Sequence, residues 1–352
     1  MERPGKTTTP LWRRRNVALL VGGQWVSSAG NAVSALALPW FVLATTGSRL
    51  DLGWLGAVQE AVGLLGFVSG VYVDRADRRR VMVGSDVVRA ASFGLLGTLA
   101  LVHRLDFPAL LALVGMSQSA GMLFTPASFA LVPEIVGADE IPGVMGFLNA
   151  GRTTFGLVGR AAAGVLLTAL GAPELFLMNG VSFLVSVACL LGLSTPRREP
   201  PPAASAEKGW GAEIRAGLSL VTRDRFLRRI VVLGVLVNLF SVALSVLDAP
   251  WVKDVLKAGP GGYAAFWIAA GLGGVGGSLL TARMMARFDT VRIQVVGLGL
   301  AGAMVGAVGS VPHLIPDLVF MGVFGGAVAV QGVSINALLQ LDFDMTGPKM
   351  AS

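Results

Sequence analysis

Cysteine is almost missing from this chain: Cys189 stands alone among 352 residues, inside an apolar run, so no intrachain disulfide can form. Histidine is nearly as scarce. His103 and His313 are the only two, they are far apart, and no ligand spacing of the kind that holds zinc surrounds them. Charge is scarce too, at 14% of residues. No Gly-x-x-x-x-Gly-Lys-Ser/Thr loop occurs, so direct ATP use has no support, and no nucleophile, base and orienting group can be assembled into a catalytic set. No cofactor is expected, and the chain reads as a non-enzyme. What it has in abundance is apolar surface: 54% hydrophobic residues and a mean hydropathy of +0.70 leave too little polar area to cover a soluble globule.

The net charge of +7 could suggest nucleic acid. The basic residues, however, sit in short clusters between apolar runs, with no aromatic-interleaved patch beside them, which argues against nucleic-acid binding. The runs themselves are of membrane-crossing length, about 20 residues or more. They read as ten spans over 17–45, 51–73, 81–103, 107–134, 141–170, 173–195, 228–251, 262–284, 290–311 and 313–340. Breakers separate them, among them Gly47-Ser48-Arg49, Asp106-Phe107-Pro108, Gly171-Ala172-Pro173 and Val311-Pro312-His313. The break around Asp139-Glu140-Ile141-Pro142 is the least marked. The predicted fold class is all-α: a polytopic membrane protein with lipid bilayer as its solvent.

Alternate loops differ sharply in charge. Twenty Lys and Arg lie before residue 17, in 74–80, in 196–229 and in 283–292, whereas the opposite loops hold Arg49, Arg104, Lys253 and Lys257. Cytoplasmic segments carry the basic excess, so the N-terminus, the long linker and the C-terminus are expected on the cytoplasmic side of the inner (plasma) membrane. The opening run imitates a signal peptide but is much longer than the apolar region of one. The organisation expected is a basic N-terminus (1–16), an N-terminal six-helix bundle (17–195), a linker (196–227), four further helices (228–340) and a tail (341–352). Within the linker, Pro196-Arg197-Arg198-Glu199-Pro200-Pro201-Pro202 favours an extended chain. From Glu207 to Leu227 the segment reads equally as an amphipathic helix on the membrane face or as a solvated connector.

Charges within spans are costly, by about 2.5–3.5 kcal/mol at the membrane centre, and usually face a partner or a wet cavity. Counting at about 1.5 Å per residue places Glu60 in span two and Arg152 in span five near the midplane, a candidate ion pair for proton or substrate coupling. Arg160 lies nearer the outer end of its span and can snorkel. Gln24, Asn31, Asn238, Gln331 and Asn336 line a cavity or bridge helices. Gly271-Leu272-Gly273-Gly274-Val275-Gly276 satisfies a dinucleotide-binding pattern, but within an apolar span it reads as close helix packing through small residues.

Between spans two and three lies Gly70-Val71-Tyr72-Val73-Asp74-Arg75-Ala76-Asp77-Arg78-Arg79-Arg80. It resembles the cytoplasmic signature of the major facilitator superfamily, Gly-x-x-x-Asp-Arg-x-Gly-Arg-Arg, matching at Gly70, Asp74, Arg75, Arg78 and Arg79, with Asp77 where the second glycine usually stands. Phe124-Thr125-Pro126-Ala127, Leu131-Val132-Pro133-Glu134-Ile135-Val136 and the six spans before a cytoplasmic linker resemble the macrolide-efflux and enterobactin-exporter branch. The resemblance covers residues 12 to 341. It implies two helix bundles rocking about a central site, and a conformational gate at Gly70, Asp74, Arg75, Arg78 and Arg79, with Asp86 and Arg89 entering span three nearby. Asp74 and Arg78 are expected to pair across the helix ends, although positive-inside bias alone also accounts for Arg79 and Arg80.

Spans one, four, seven and ten line the cavity in that family, which favours Asn31, Asn238 and Gln331 alongside Glu60 and Arg152 as substrate- or ion-coupling residues. Gly159-Arg160-Ala161-Ala162-Ala163-Gly164 lacks the proline of the antiporter pattern. Four spans follow the linker where the family has six, so the second bundle is expected to be incomplete. The expected function is export of a drug-like or siderophore-like small molecule, with protons as the coupling partner. The alternative is a truncated, non-transporting membrane remnant or membrane partner protein.

Overall fold

The computed structural model describes residues 14–64, 73, 76–194, 228 and 246–345. Nine α-helices make up nearly all of them: α1 (Arg15–Thr46), α2 (Arg49–Leu64), α3 (Arg78–Leu101), α4 (Phe107–Ile135), α5 (Ile141–Ala169), α6 (Ala172–Leu191), α7 (Pro260–Met285), α8 (Thr290–Ser310) and α9 (Leu314–Met345). No strand occurs among the described residues. Six of these helices are long and apolar enough to cross a membrane. Leu184, Leu272, Leu279, Val295 and Val165 are exposed along helix flanks, as lipid-facing side chains are.

Local chemistry sets the breaks. Gly47 ends α1 in the left-handed region at φ 64°, where a side chain would be strained. Asp77 and Asp106 cap α3 and α4, each side chain accepting a backbone N–H three residues on. The weakly marked break near 139 is a single 3₁₀ turn, Ala138–Glu140.

The chain divides into two compact units, Met1–Ala249 and Pro250–Ser352. In the first, α1 packs against α5 and α6, α3 against α4 and α6, and α2 against α4. An apolar core at the end of the helices that bears the basic residues gathers Val17, Leu20, Met82, Leu131, Val144 and Leu190. Without a hydrophobic drive between helices in lipid, close approach through small residues does much of the packing. Gly151 of α5 shows this: a Cβ there would lie 1.6 Å from the indole nitrogen of Trp25, whose ring also stacks on Phe155.

In the second unit, α9 packs on both α7 and α8. The glycine-rich stretch of α7 meets α9 backbone to backbone. A Cβ at Gly273 would fall 1.6 Å from the carbonyl oxygen of Gly322, and one at Gly325 would fall 1.8 Å from that of Ala270. The pattern that imitates a nucleotide site is therefore a helix-packing face, as its position in an apolar span suggests.

Candidate transport site

The basic end of the first unit is held by side chains reaching between helices. Arg78, at the start of α3, donates to the Glu134 carboxylate at 2.8 Å and to the carbonyl of Ala130, both on α4. Arg79 donates from Nε to the Leu190 carbonyl (2.8 Å) and from Nη2 to that of Leu191 (2.6 Å), closing the end of α6 where carbonyls have no intrahelical partner. Arg14 forks onto Glu140, joining the start of α1 to the start of α5. That guanidinium hydrogen-bonds the half-buried Glu140 carboxylate and holds its pKa below the ordinary value. Asn16 and Ser194 exchange two hydrogen bonds and tie α1 to the segment after α6.

Arg78 thus has its partner on α4. Gly70, Asp74 and Arg75, the remainder of the expected gate, lie outside the described residues, as do Asn238 and the linker 196–227. Glu134 is a residue the sequence offered only as part of a matching string; its position four residues past Ala130 puts both acceptors on one face of α4.

Deeper in the unit, a second polar group forms. Asp86 is fully buried on α3, and one turn on, Arg89 Nη1 donates to its Oδ1 at 3.2 Å. Arg89 Nη2 donates to Asn31 Oδ1 on α1 at 3.1 Å, and the guanidinium carbon stands 3.9 Å from the ring centroid of Phe183. Eleven residues into α3, Arg89 is about 16 Å along the helix from its start, and Asn31 is halfway along α1. The cluster therefore lies well inside both helices. It borders a cavity of about 230 Å³ lined by Asn31, Ser34, Gln59, Arg89, Ser117 and Gln118, with apolar Phe93 and Leu38 beside them.

The structure brings Asn31, Asp86 and Arg89 together, and it does not bring Glu60 to Arg152. Glu60 is exposed on α2, which packs on α4, whereas Arg152 is half-buried on α5, which packs on α1. The expected ion pair is absent. Gln331 is half-buried with its side chain against Gly297 of α8, and its backbone carbonyl accepts from Gln294 at 3.0 Å. Its place is therefore at the α8–α9 contact.

In the second unit, the buried Asp317 accepts from the Trp251 indole at 2.8 Å. Only its rarity as an acid in an apolar run could have marked it in the sequence.

Six helices of membrane-crossing length and apolarity, with a polar, charge-bearing cavity among the helices of the first unit, describe a multi-pass membrane protein. This is the architecture of a transporter. The sequence model of the Major Facilitator Superfamily matches residues 20–350, and the chain belongs to that family. It is a transporter, not an enzyme.

Multidrug efflux pump Tap of Mycolicibacterium fortuitum is 25% identical over 333 residues, spanning 90% of this chain and 80% of that protein. Macrolide efflux protein A of Streptococcus pyogenes is 22% identical over 316 residues, spanning 89% of this chain and 76% of that one. Among solved structures, nucleoside transporter NupG superposes with a TM-score of 0.68 at 11% identity, over 92% of this chain and 82% of that one. A bacterial homologue of the iron transporter ferroportin, in an inward-facing state, gives 0.66 at 16% identity, over 96% of this chain and 85% of that one. These structural likenesses establish the fold.

Proposed function

We propose that this protein exports hydrophobic, drug-like small molecules across the plasma membrane by alternating access, coupled to the proton gradient, with its basic loops in the cytoplasm. The observation that carries the reading is the Asp86–Arg89–Asn31 cluster: a charged group held at membrane depth beside a cavity, in a chain whose relatives are efflux pumps. A transporter needs such a group because an intramembrane charge is retained at cost only where it meets a partner, a substrate or a proton. Arg78 and Glu134, with the 70–80 turn, form the basic-side part of the gate, since they fix α3 to α4 at the end where the cavity would close.

The test is efflux from inside-out vesicles containing the full chain, using a panel of labelled hydrophobic antibiotics. Uptake into the vesicles should need an acidic interior and should collapse when a protonophore is added. Uptake that ignores the proton gradient would remove proton coupling, and no uptake of any compound would remove the exporter reading.

A further inference from the structure

We propose that the cavity among α1, α2, α3 and α4 is a subsite for an uncharged or anionic, acceptor-rich group of the transported molecule, and that it rejects cationic groups. This rests on the exporter reading above and specifies the chemistry of its cargo. At about 230 Å³ the cavity is smaller than a whole drug-sized pocket of roughly 300–1,000 Å³, so it takes one portion of a substrate.

The wall chemistry decides which portion. Arg89 is the only charged side chain among the described lining residues. Both nearby carboxylates are off the wall: Asp86 is fully buried behind Arg89, and Glu60 follows Gln59 on α2 without facing the cavity. Stacked on Phe183, the guanidinium is held in one orientation, and its bonds to Asp86 and Asn31 use two of its five N–H donors.

A second observation points to a ligand independently. Ser34 lines the same cavity at 2% exposure, and its hydroxyl has no hydrogen-bond partner among the described residues. A buried hydroxyl left unpaired is costly, and an entering acceptor or hydroxyl would satisfy it. Gln59, Ser117 and Gln118 add neutral amide and hydroxyl groups around it. Nothing on this wall offers a carboxylate to an ammonium, so a cationic group would lose its hydration and meet Arg89 instead.

The experiment uses the full chain in lipid nanodiscs and three probes that share one fluorophore: dansylglycine (anionic), dansylamide (neutral) and dansylcadaverine (cationic). Dansylglycine and dansylamide should bind, and dansylcadaverine should bind at least about tenfold more weakly. Ser34→Val removes the hydroxyl while leaving the Asp86–Arg89 pair intact. It should weaken dansylglycine and dansylamide by about fivefold or more with the melting temperature unchanged. The neutral double variant Asp86→Asn with Arg89→Gln should fold and lose the discrimination between dansylglycine and dansylcadaverine.

Dansylcadaverine binding as tightly as the other two would overturn the proposal, as would binding of none of them or indifference to both variants. Because binding is read without transport, selective binding without vesicle uptake sinks only the exporter reading, and uptake without this selectivity sinks only the subsite.

Discussion

Asp86 and Arg89 show how much one buried residue can depend on another. Asp86 is inaccessible and has only Oδ1 bonded by Arg89, with Oδ2 lacking a hydrogen-bond partner among the described residues. Removing one partner of such a pair leaves an uncompensated buried charge and typically costs about 3–5 kcal/mol. Asp86→Asn or Arg89→Gln alone should therefore reduce folded yield in the membrane, and the double replacement should restore much of it. A double variant as poorly folded as the worse single one would show that the two residues act separately. Glu140 offers a gentler case at the surface. Its carboxyl titrates below the ordinary value because Arg14 bonds the charged form, so this contact stabilises the fold above the unfolded-state pKa and is lost as pH falls through the depressed folded-state value. The melting temperature of wild type should exceed that of Glu140→Gln at neutral pH, and the gap should close as the solution is acidified below about pH 4. A gap that persists at low pH would mean that the pairing contributes nothing through its charge.

Among the elements, helix limits were legible in the sequence to within a few residues because each limit has a local cause. Gly47 and Gly171 adopt positive φ, Asp106 caps α4, and Pro108 and Pro173 fit first turns. Side-chain partnerships were not local. Asn31 and Arg89 are 58 residues apart and meet only because α1 and α3 both pack on α6. For Glu60 and Arg152, counting residues sets depth along each helix but no direction around its axis. Both can lie near mid-membrane and still face different neighbours. Small-residue faces were more readable, since a run such as Gly271 to Gly277 in an apolar span has few purposes other than close packing. A Cβ at Gly277 would fall 2.3 Å from the carbonyl oxygen of Gly326, so no rotamer of a larger residue fits without moving α7 from α9. Gly277→Val should lower the melting temperature and expose the α7–α9 pair to protease, while Gly276→Val, whose Cβ position is open, should leave both unchanged. Equal tolerance at the two positions would contradict the packing.

For the whole molecule, the charge distribution sets an expected orientation in the membrane for each unit separately. In the first unit, Asp139 and Arg104 are exposed at opposite ends of α4, whose 29 residues span about 43 Å, more than the hydrocarbon thickness of about 30 Å. In the second, Arg287 and His313 are exposed at opposite ends of α8, whose 21 residues span about 31 Å. Basic residues crowd the Asp139 end through Arg14, Arg78, Arg79 and Arg80, and the Arg287 end through Arg283 and Arg292. Each positive charge retained on the inner side biases insertion in the same direction, so both units should place these ends in the cytoplasm. With Cys189 replaced by Ala, single cysteines at Arg104 and His313 should react with a membrane-impermeant maleimide added to intact cells. Cysteines at Asp139 and Arg287 should react only after the membrane is opened. If Asp139→Cys labels from outside, the first unit is inverted; if Arg287→Cys does so while Asp139→Cys does not, the units insert with opposite orientation and the basic-loop rule fails for the second. Labelling of one site from both sides in a mixed population would mean that the charge excess, large as it is, does not commit the chain to a single orientation, and the export direction proposed above would then lose its structural basis.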